Sequence, residues 1–319
     1  MIKQSKLFLI IAICISVLTL SGCSVNRTSD SMSLSYESQT RQPKQLQSTS
    51  LWESEHWHEK RFTLDWQLTD QVKRIAKNFA RTVHSNLNRN DFYLHYLLSK
   101  LNEENVPLEM AAIPLVESGL NPHAYHGGAH GAWQFIRATG RSLGLEKQDH
   151  YDGIYDFFAS TDAGIKYLKK LYNDLGDWEF VVIAYNQGEY GVKKAIERAK
   201  KKGTKNISLD TVRVARQSRA YLSRVKAFAD ILKQPDFYNI KLPNIKNRPP
   251  FRKVEIAGRV NSLKKVAELS GANIDLIKKL NSGYRTDKIN PNRALYIPLK
   301  HAKVLEKALE EKDSGKEKL

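Results

Sequence analysis

The sequence predicts a mainly α protein closed by a small α+β module. Three observations point there. Between about residues 60 and 235 the apolar residues recur at three and four, as in Tyr167, Leu168, Leu171, Tyr172 and Leu175, which marks one buried helix face. A segment rich in proline and asparagine, "YNIKLPNIKNRPP" from Tyr238, then ends that period. Beyond it the order changes to strand, helix, helix, strand.

Taken in order, the chain opens with Lys3 and Lys6 followed by the apolar run "LFLIIAICISVLTL" from Leu7 to Leu20. The run is shorter than the ~20 residues a membrane-spanning helix needs, so residues 1–22 read as a secretory signal peptide. Leu20, Ser21, Gly22 and Cys23 resemble the lipobox of bacterial lipoproteins, which implies that Cys23 becomes the lipid-modified first residue. By the same resemblance to Gram-negative lipoproteins, Ser24 in place of an aspartate implies the periplasmic face of the outer membrane over the inner membrane. The chain has two cysteines; Cys14 leaves with the signal and Cys23 carries lipid, so no disulfide or thiolate metal site is expected. Residues 23–60 are rich in Ser, Gln, Thr and Arg without apolar period and read as a flexible tether.

Formal charge is +17, and it falls to +15 once Lys3 and Lys6 are removed. Such a balance calls for a polyanionic partner. Beyond the membrane the available polyanions are lipid headgroups and the carboxylates of wall peptide stems, so nucleic acid is not expected.

Residues 61–236 form the helical body, with patterns at "DQVKRIAKNFARTV" from Asp70, "DFYLHYLLSKLNEEN" from Asp91, and "PLEMAAIPLVESG" from Pro107. Each opens on a cap residue or an N1 proline, and the third stops at Gly119. "STDAGIKYLKKLYNDLG", "DWEFVVIAYNQG" and "QSRAYLSRVKAFADILKQ" complete it. Residues 237–250 read as a linker. In 251–300, "FRKVEIAGRV" and "RALYIPL" read as strands around two short helices parted by Gly271. The charged tail, 301–319, is expected to fray.

The chemistry concentrates in "ESGLNPHAYHGGAHGAWQF", Glu117 to Phe135. His123, His126 and His130 could converge on zinc with Glu117 as general base. Gly127 and Gly128 fall among them and prevent alignment on a helical face, so no metal is expected. Glu117 follows Ile113, Leu115 and Val116 at the end of an apolar helix, where desolvation and the negative dipole end both favour the protonated form. Those are the properties of a general acid, although a helix-end salt bridge fits the local pattern equally.

"IPLVESGLNPHA", "GAHGAWQFIRATGRSLGL", "AYNQGEYGV" and "SRAYLSRV" occur in an order and spacing that resemble lytic murein transglycosylases of goose-type-lysozyme-like fold, above all the membrane-bound D type. Residues 251–300, with "LSGANIDLIKKLN" and "LYIP", resemble a LysM module whose start is divergent at Glu255 to Arg259. The resemblance implies a lysozyme-like helical catalytic domain followed by a LysM-like module, acting on peptidoglycan glycan strands without a cofactor. It makes Glu117 the acid/base, places Ser118, Gln134, Tyr185 and Asn186 on the substrate cleft, and gives Tyr221 the orientation of the acid.

One carboxylate then suffices, because the muramic C6 hydroxyl supplies the nucleophile and a 1,6-anhydro end results. Asp149, Asp152, Asp156 and Asp162 are too loosely placed to identify a second catalytic carboxylate, and most read as turn or cap residues. Trp133, Tyr185 and Tyr190 could stack on sugars or, for Trp133, fill the core. The chain departs from the family pattern at Tyr125, His126 and Gly127, where a supporting serine is missing or displaced and the loop is one residue shorter. Ala132 and the Gly188 to Gly191 stretch also differ. Two alternatives are an inactive peptidoglycan-binding lipoprotein and a hydrolytic muramidase.

Overall fold

The computed structural model describes residues 50–52, 62–148 and 150–313. Cys14, Cys23, Asp149 and most of the tether lie outside the described residues. Helix α1 (Asp70–Arg89) is capped one residue before its expected start, where the Thr69 hydroxyl accepts the Val72 N–H. Its stripe Val72, Ala76, Ala80, Val83 and Leu87 is buried and packs against α8 (Arg216–Lys233). Asn90 joins α1 to α2 (Asp91–Glu103), its side-chain amide donating to the carbonyls of Asn86 and Gly119.

The pattern from Pro107 is a 3₁₀ turn, Leu108–Ala111, followed by α3 (Ala112–Ser118), rather than one continuous helix. Pro114 falls in the first turn of α3, where a missing N–H is tolerated. Gly119 ends the helix at φ 64°. The glycine-rich segment beyond it is a small sheet rather than an open loop. Strands β1 (Tyr125–His126), β2 (Ala129–His130) and β3 (Phe135–Ile136) pair antiparallel there. Gly127 and Gly128 make its two-residue turn with φ of 55° and 86°, the left-handed values a tight hairpin demands at both positions.

After α4 (Arg137–Ser142), helix α5 (Phe157–Leu175) begins three residues ahead of the expected Ser160. Asp156 is its cap and accepts the N–H groups of Phe158 and Ala159 at 2.9 and 3.0 Å. Such a cap contributes about 1 kcal/mol. Helices α6 (Trp178–Gln187), α7 (Glu189–Lys201) and α8 close the body.

In the module β4 (Phe251–Val254) pairs antiparallel with β5 (Leu295–Pro298), Phe251 opposite Pro298. Between them stand α9 (Leu263–Ser270), capped by Ser262, and α10 (Ile274–Leu280), capped by Asn273. As far as Asp313 the tail expected to fray from residue 301 is helical. It continues as α11 (Leu299–Asp313) with Ala302, Leu305 and Leu309 buried against the module core. The segment expected as a linker is likewise pinned, with Tyr238, Ile240 and Ile245 buried and the Trp52 indole donating to Pro243 O at 2.8 Å.

Module and body are in direct contact. Tyr296 stacks on Phe158 with ring centroids 3.7 Å apart, Asp152 N donates to Gly283 O at 2.8 Å, and the Tyr93 hydroxyl donates to Lys279 O. Among the described residues no helix is long and apolar enough to cross a membrane.

Candidate active site

Glu117 is half-buried in the last turn of α3. The hydroxyl of Tyr221, buried on α8, donates to its Oε1 at 2.6 Å. Burial raises the Glu117 pKa, while the Tyr221 hydrogen bond and the positive charge of Arg224 pull the other way. Burial wins, so the carboxyl holds its proton to higher pH than an exposed glutamate. The Tyr221 hydroxyl is driven well above the ordinary tyrosine range, first by burial and then by the Glu117 charge, and stays a donor.

The backbone around this pair is held from several sides. Ser118 donates to Ala132 O at 2.7 Å and accepts the Asn121 N–H at 3.1 Å, which ties α3 to the chain entering Trp133. Gln134 sits at φ 48°, and its amide donates to Gly131 O at 2.8 Å and Ala124 O at 3.3 Å. Trp133 belongs to the core: it is fully buried, and its indole N–H donates to Thr161 Oγ1 at 3.1 Å. Gly164 makes room for that ring, since a Cβ there would lie 2.6 Å from Trp133 Cδ2.

Tyr185 on α6 donates to the Trp133 carbonyl at 2.5 Å. Its pKa is raised well above the ordinary value by burial and then by the charge of Glu117, so the two side chains share one electrostatic environment. Asn186 is engaged by Ser218 on α8, whose hydroxyl donates to its Oδ1 at 3.0 Å. Glu117, Tyr185 and Tyr221 are thus gathered from α3, α6 and α8. The side chains of Ser118, Gln134 and Asn186 serve neighbouring groups of the protein. Tyr190 is 78% exposed, with the Lys194 ammonium 5.9 Å from its ring centroid.

Sequence reasoning passed over Arg224, Thr161 and Ser218. Arg224 had a signal, because it stands one helical turn beyond Tyr221 in "SRAYLSRV" and so shares its face.

Of the four aspartates weighed in the sequence, the three that are described are occupied. Asp152 pairs with Arg137 at 2.5 Å, Asp156 caps α5 and accepts the Tyr151 hydroxyl at 2.9 Å, and Asp162 accepts the Tyr96 hydroxyl at 2.7 Å. His123 and His130 both border Tyr155, and His126 stands apart. His130 Nδ1 lies 2.7 Å from the Tyr155 hydroxyl, the His123 ring stands 6.4 Å from the Tyr155 ring, and His126 is exposed. Among the described residues no three His, Cys, Asp or Glu side chains converge on one point.

Comparison with known proteins finds two matching domains. Residues 97–208 match the transglycosylase SLT domain, and residues 251–314 match the LysM-like domain of lytic transglycosylase MltD. The chain is 30% identical over 247 residues to membrane-bound lytic murein transglycosylase D of Escherichia coli K12, a match covering 75% of this chain and 54% of that protein. It therefore spans about half the length of that relative. A putative tributyltin chloride resistance protein of Alteromonas is 31% identical over 145 residues, 45% of this chain and 69% of that one. Among solved structures, an inactive mutant of lytic transglycosylase Slt from Pseudomonas aeruginosa aligns at 19% identity and a TM-score of 0.37, covering 46% of this chain and 25% of that one. The chain thus joins a transglycosylase SLT domain to a LysM-like domain of the lytic transglycosylase MltD type, and in that pairing it resembles membrane-bound lytic murein transglycosylase D.

Proposed function

We propose that the chain cleaves the β-1,4 bond between N-acetylmuramic acid and N-acetylglucosamine in peptidoglycan and leaves 1,6-anhydromuramic ends. The observation that carries this reading is the half-buried Glu117 holding a 2.6 Å bond from Tyr221. Protonated Glu117 donates to the glycosidic oxygen as the C1–O bond breaks, and positive oxocarbenium character develops at C1. The carboxylate so formed takes the proton of the muramic C6 hydroxyl while O6 bonds to C1. Glu117 ends the cycle protonated, and no water is consumed.

Tyr221 supports the step because its donated bond strengthens as Glu117 becomes an anion. Tyr185, Asn186, Gln134 and Ser118 shape the cleft, by direct contact or through the backbone they hold. The occupied aspartates favour a one-carboxylate mechanism over a two-carboxylate muramidase. Residues 61–236 act as the catalytic part and 251–300 as a glycan-binding module. Lipid on Cys23 holds the enzyme at the periplasmic face of the outer membrane; of this, the membrane-bound naming of the relatives supports the membrane association.

The test is Glu117→Gln, which keeps size and polarity but can neither give nor take the proton. Release of anhydro-muropeptides, followed by mass, is expected to fall about 100- to 10,000-fold while sacculus binding persists. Near wild-type release of anhydro ends by this variant refutes the assignment. Reducing ends from the wild type indicate a muramidase, and binding without any product indicates an inactive wall-binding protein.

A further inference from the structure

A cavity of about 630 Å³ lies where the helical body meets the module. One wall is the chain just past Glu117, with Ser118, Asn121 and His123, beside Arg89 at the end of α1. The other is α10 and the turn leading from it, with Lys278 and Arg285. Its walls are fixed to each other: the Lys279 ammonium donates to Arg89 O at 2.8 Å, and the Tyr93 hydroxyl donates to Lys279 O.

The lining charge is unbalanced. Arg89, Lys278, Lys279 and Arg285 face only Asp275 and Asp287. Lys279 is engaged, since it donates to Arg89 O at 2.8 Å and sits 4.1 Å over the Phe92 ring. Asp287 is engaged as well, accepting the Lys264 N–H at 2.9 Å at the start of α9. Arg89 reaches only the Ser85 hydroxyl, at 3.5 Å, and Arg285 lies over the Tyr155 ring at 4.4 Å. Lys278 is exposed on α10. Three cations therefore have no ion pair among the described residues and border one polar hollow that begins one residue beyond Glu117.

Resting on the peptidoglycan reading above, we propose that this cavity binds a carboxylate of the peptide stem carried by the muramic residue, with Arg89, Lys278 and Arg285 as its counter-ions. A glycan strand whose lactyl groups are amide-linked to stems is itself neutral and gives such cations nothing to pair with. The stem supplies the anions. The Asn86 side chain and the Asn121 amide N–H groups add polar partners suited to a peptide backbone. The module thus acts as one wall of a substrate site as well as a holder of glycan.

The experiment measures binding of a fluorescently labelled disaccharide-tetrapeptide to the full chain, beside the same compound with its carboxylates converted to amides. Wild type is expected to bind the acid form about ten-fold or more tightly than the amide. Lys278→Glu combined with Arg89→Glu is expected to erase that preference while the melting temperature holds, because both side chains lie at the surface. Equal affinity for the two compounds in wild type, no detectable binding of either, or an unchanged preference in the folded double variant overturns the proposal. Anhydro product from intact, stem-bearing peptidoglycan is scored separately. Its absence refutes the cleavage reading, and the binding comparison still decides the cavity.

Discussion

Replacing Tyr221 with Phe removes one hydroxyl and keeps the ring that fills the buried site on α8. The lost contact is the 2.6 Å bond to Glu117 Oε1, made to a carboxyl already partly stripped of water. Hydrogen bonds to charged groups are worth about 1.5–3 kcal/mol. This one is strongest when Glu117 has given up its proton, so its loss falls mainly on the transition state. At about 1.4 kcal/mol per factor of ten, kcat is expected to drop roughly 10- to 100-fold. The direction of the pH response is equally fixed. Tyr221 opposes the burial that raises the Glu117 pKa, so its removal raises that pKa further. The alkaline limb of kcat/KM, which reports the acid in the free enzyme, moves to higher pH. A glutamate whose folded pKa is raised contributes its stability fully at acid pH and loses it as pH climbs through the folded value, so the variant also loses more stability on the alkaline side. Rates of anhydro-muropeptide release across pH, with melting curves in the same buffers, measure both effects. An unchanged or acid-shifted alkaline limb refutes the coupling between Tyr221 and Glu117.

Gly164→Ala places a methyl 2.6 to 2.9 Å from three carbons of the Trp133 indole. The ring is held by Thr161 and fully buried, so overpacking of about 1–3 kcal/mol is expected, with a melting temperature several degrees lower and slower turnover through the Trp133 carbonyl that holds Tyr185. A variant that melts and turns over like wild type contradicts the tight seat described for Trp133. For the N-terminus, intact mass of the membrane-extracted protein should show a chain beginning at lipid-modified Cys23, and Cys23→Ala should accumulate as precursor. Cleavage elsewhere with an unmodified Cys23 refutes the anchor.

The long helices were legible because their apolar residues keep a helical period that no other element imitates. The sheet after α3 was not. Its strands are two residues long, too short for alternation to register, and Gly127–Gly128 reads as an open loop until both glycines are seen at positive φ. The start of α5 was misplaced because Ser160 and Asp156 are both acceptable caps, and only the burial of Phe157 and Phe158 decides between them. The tail concealed Ala302, Leu305 and Leu309 beneath lysines and glutamates. A helix with one buried stripe needs only every third or fourth residue apolar, so a high charge count says little about whether it docks.

The site was legible in a different way. The rise in the Glu117 pKa follows from local facts, an apolar helix ending at a glycine, and could be argued from a dozen residues. Tyr221 could not, because 104 residues separate it from Glu117 and no local pattern spans that distance. The family motif supplied the pairing, and the α3, α6 and α8 packing supplies its cause. Ser118 and Gln134 show the limit of transferring roles residue by residue. A polar side chain in a cleft motif can face the ligand or hold the backbone that does, and the motif alone looks the same. Here Ser118 spends its hydroxyl on Ala132 O and Gln134 its amide on Gly131 O, both in the chain around Trp133, whose own carbonyl positions Tyr185. A polar substitution at either residue therefore reaches Glu117's surroundings through the backbone, even with every substrate contact intact.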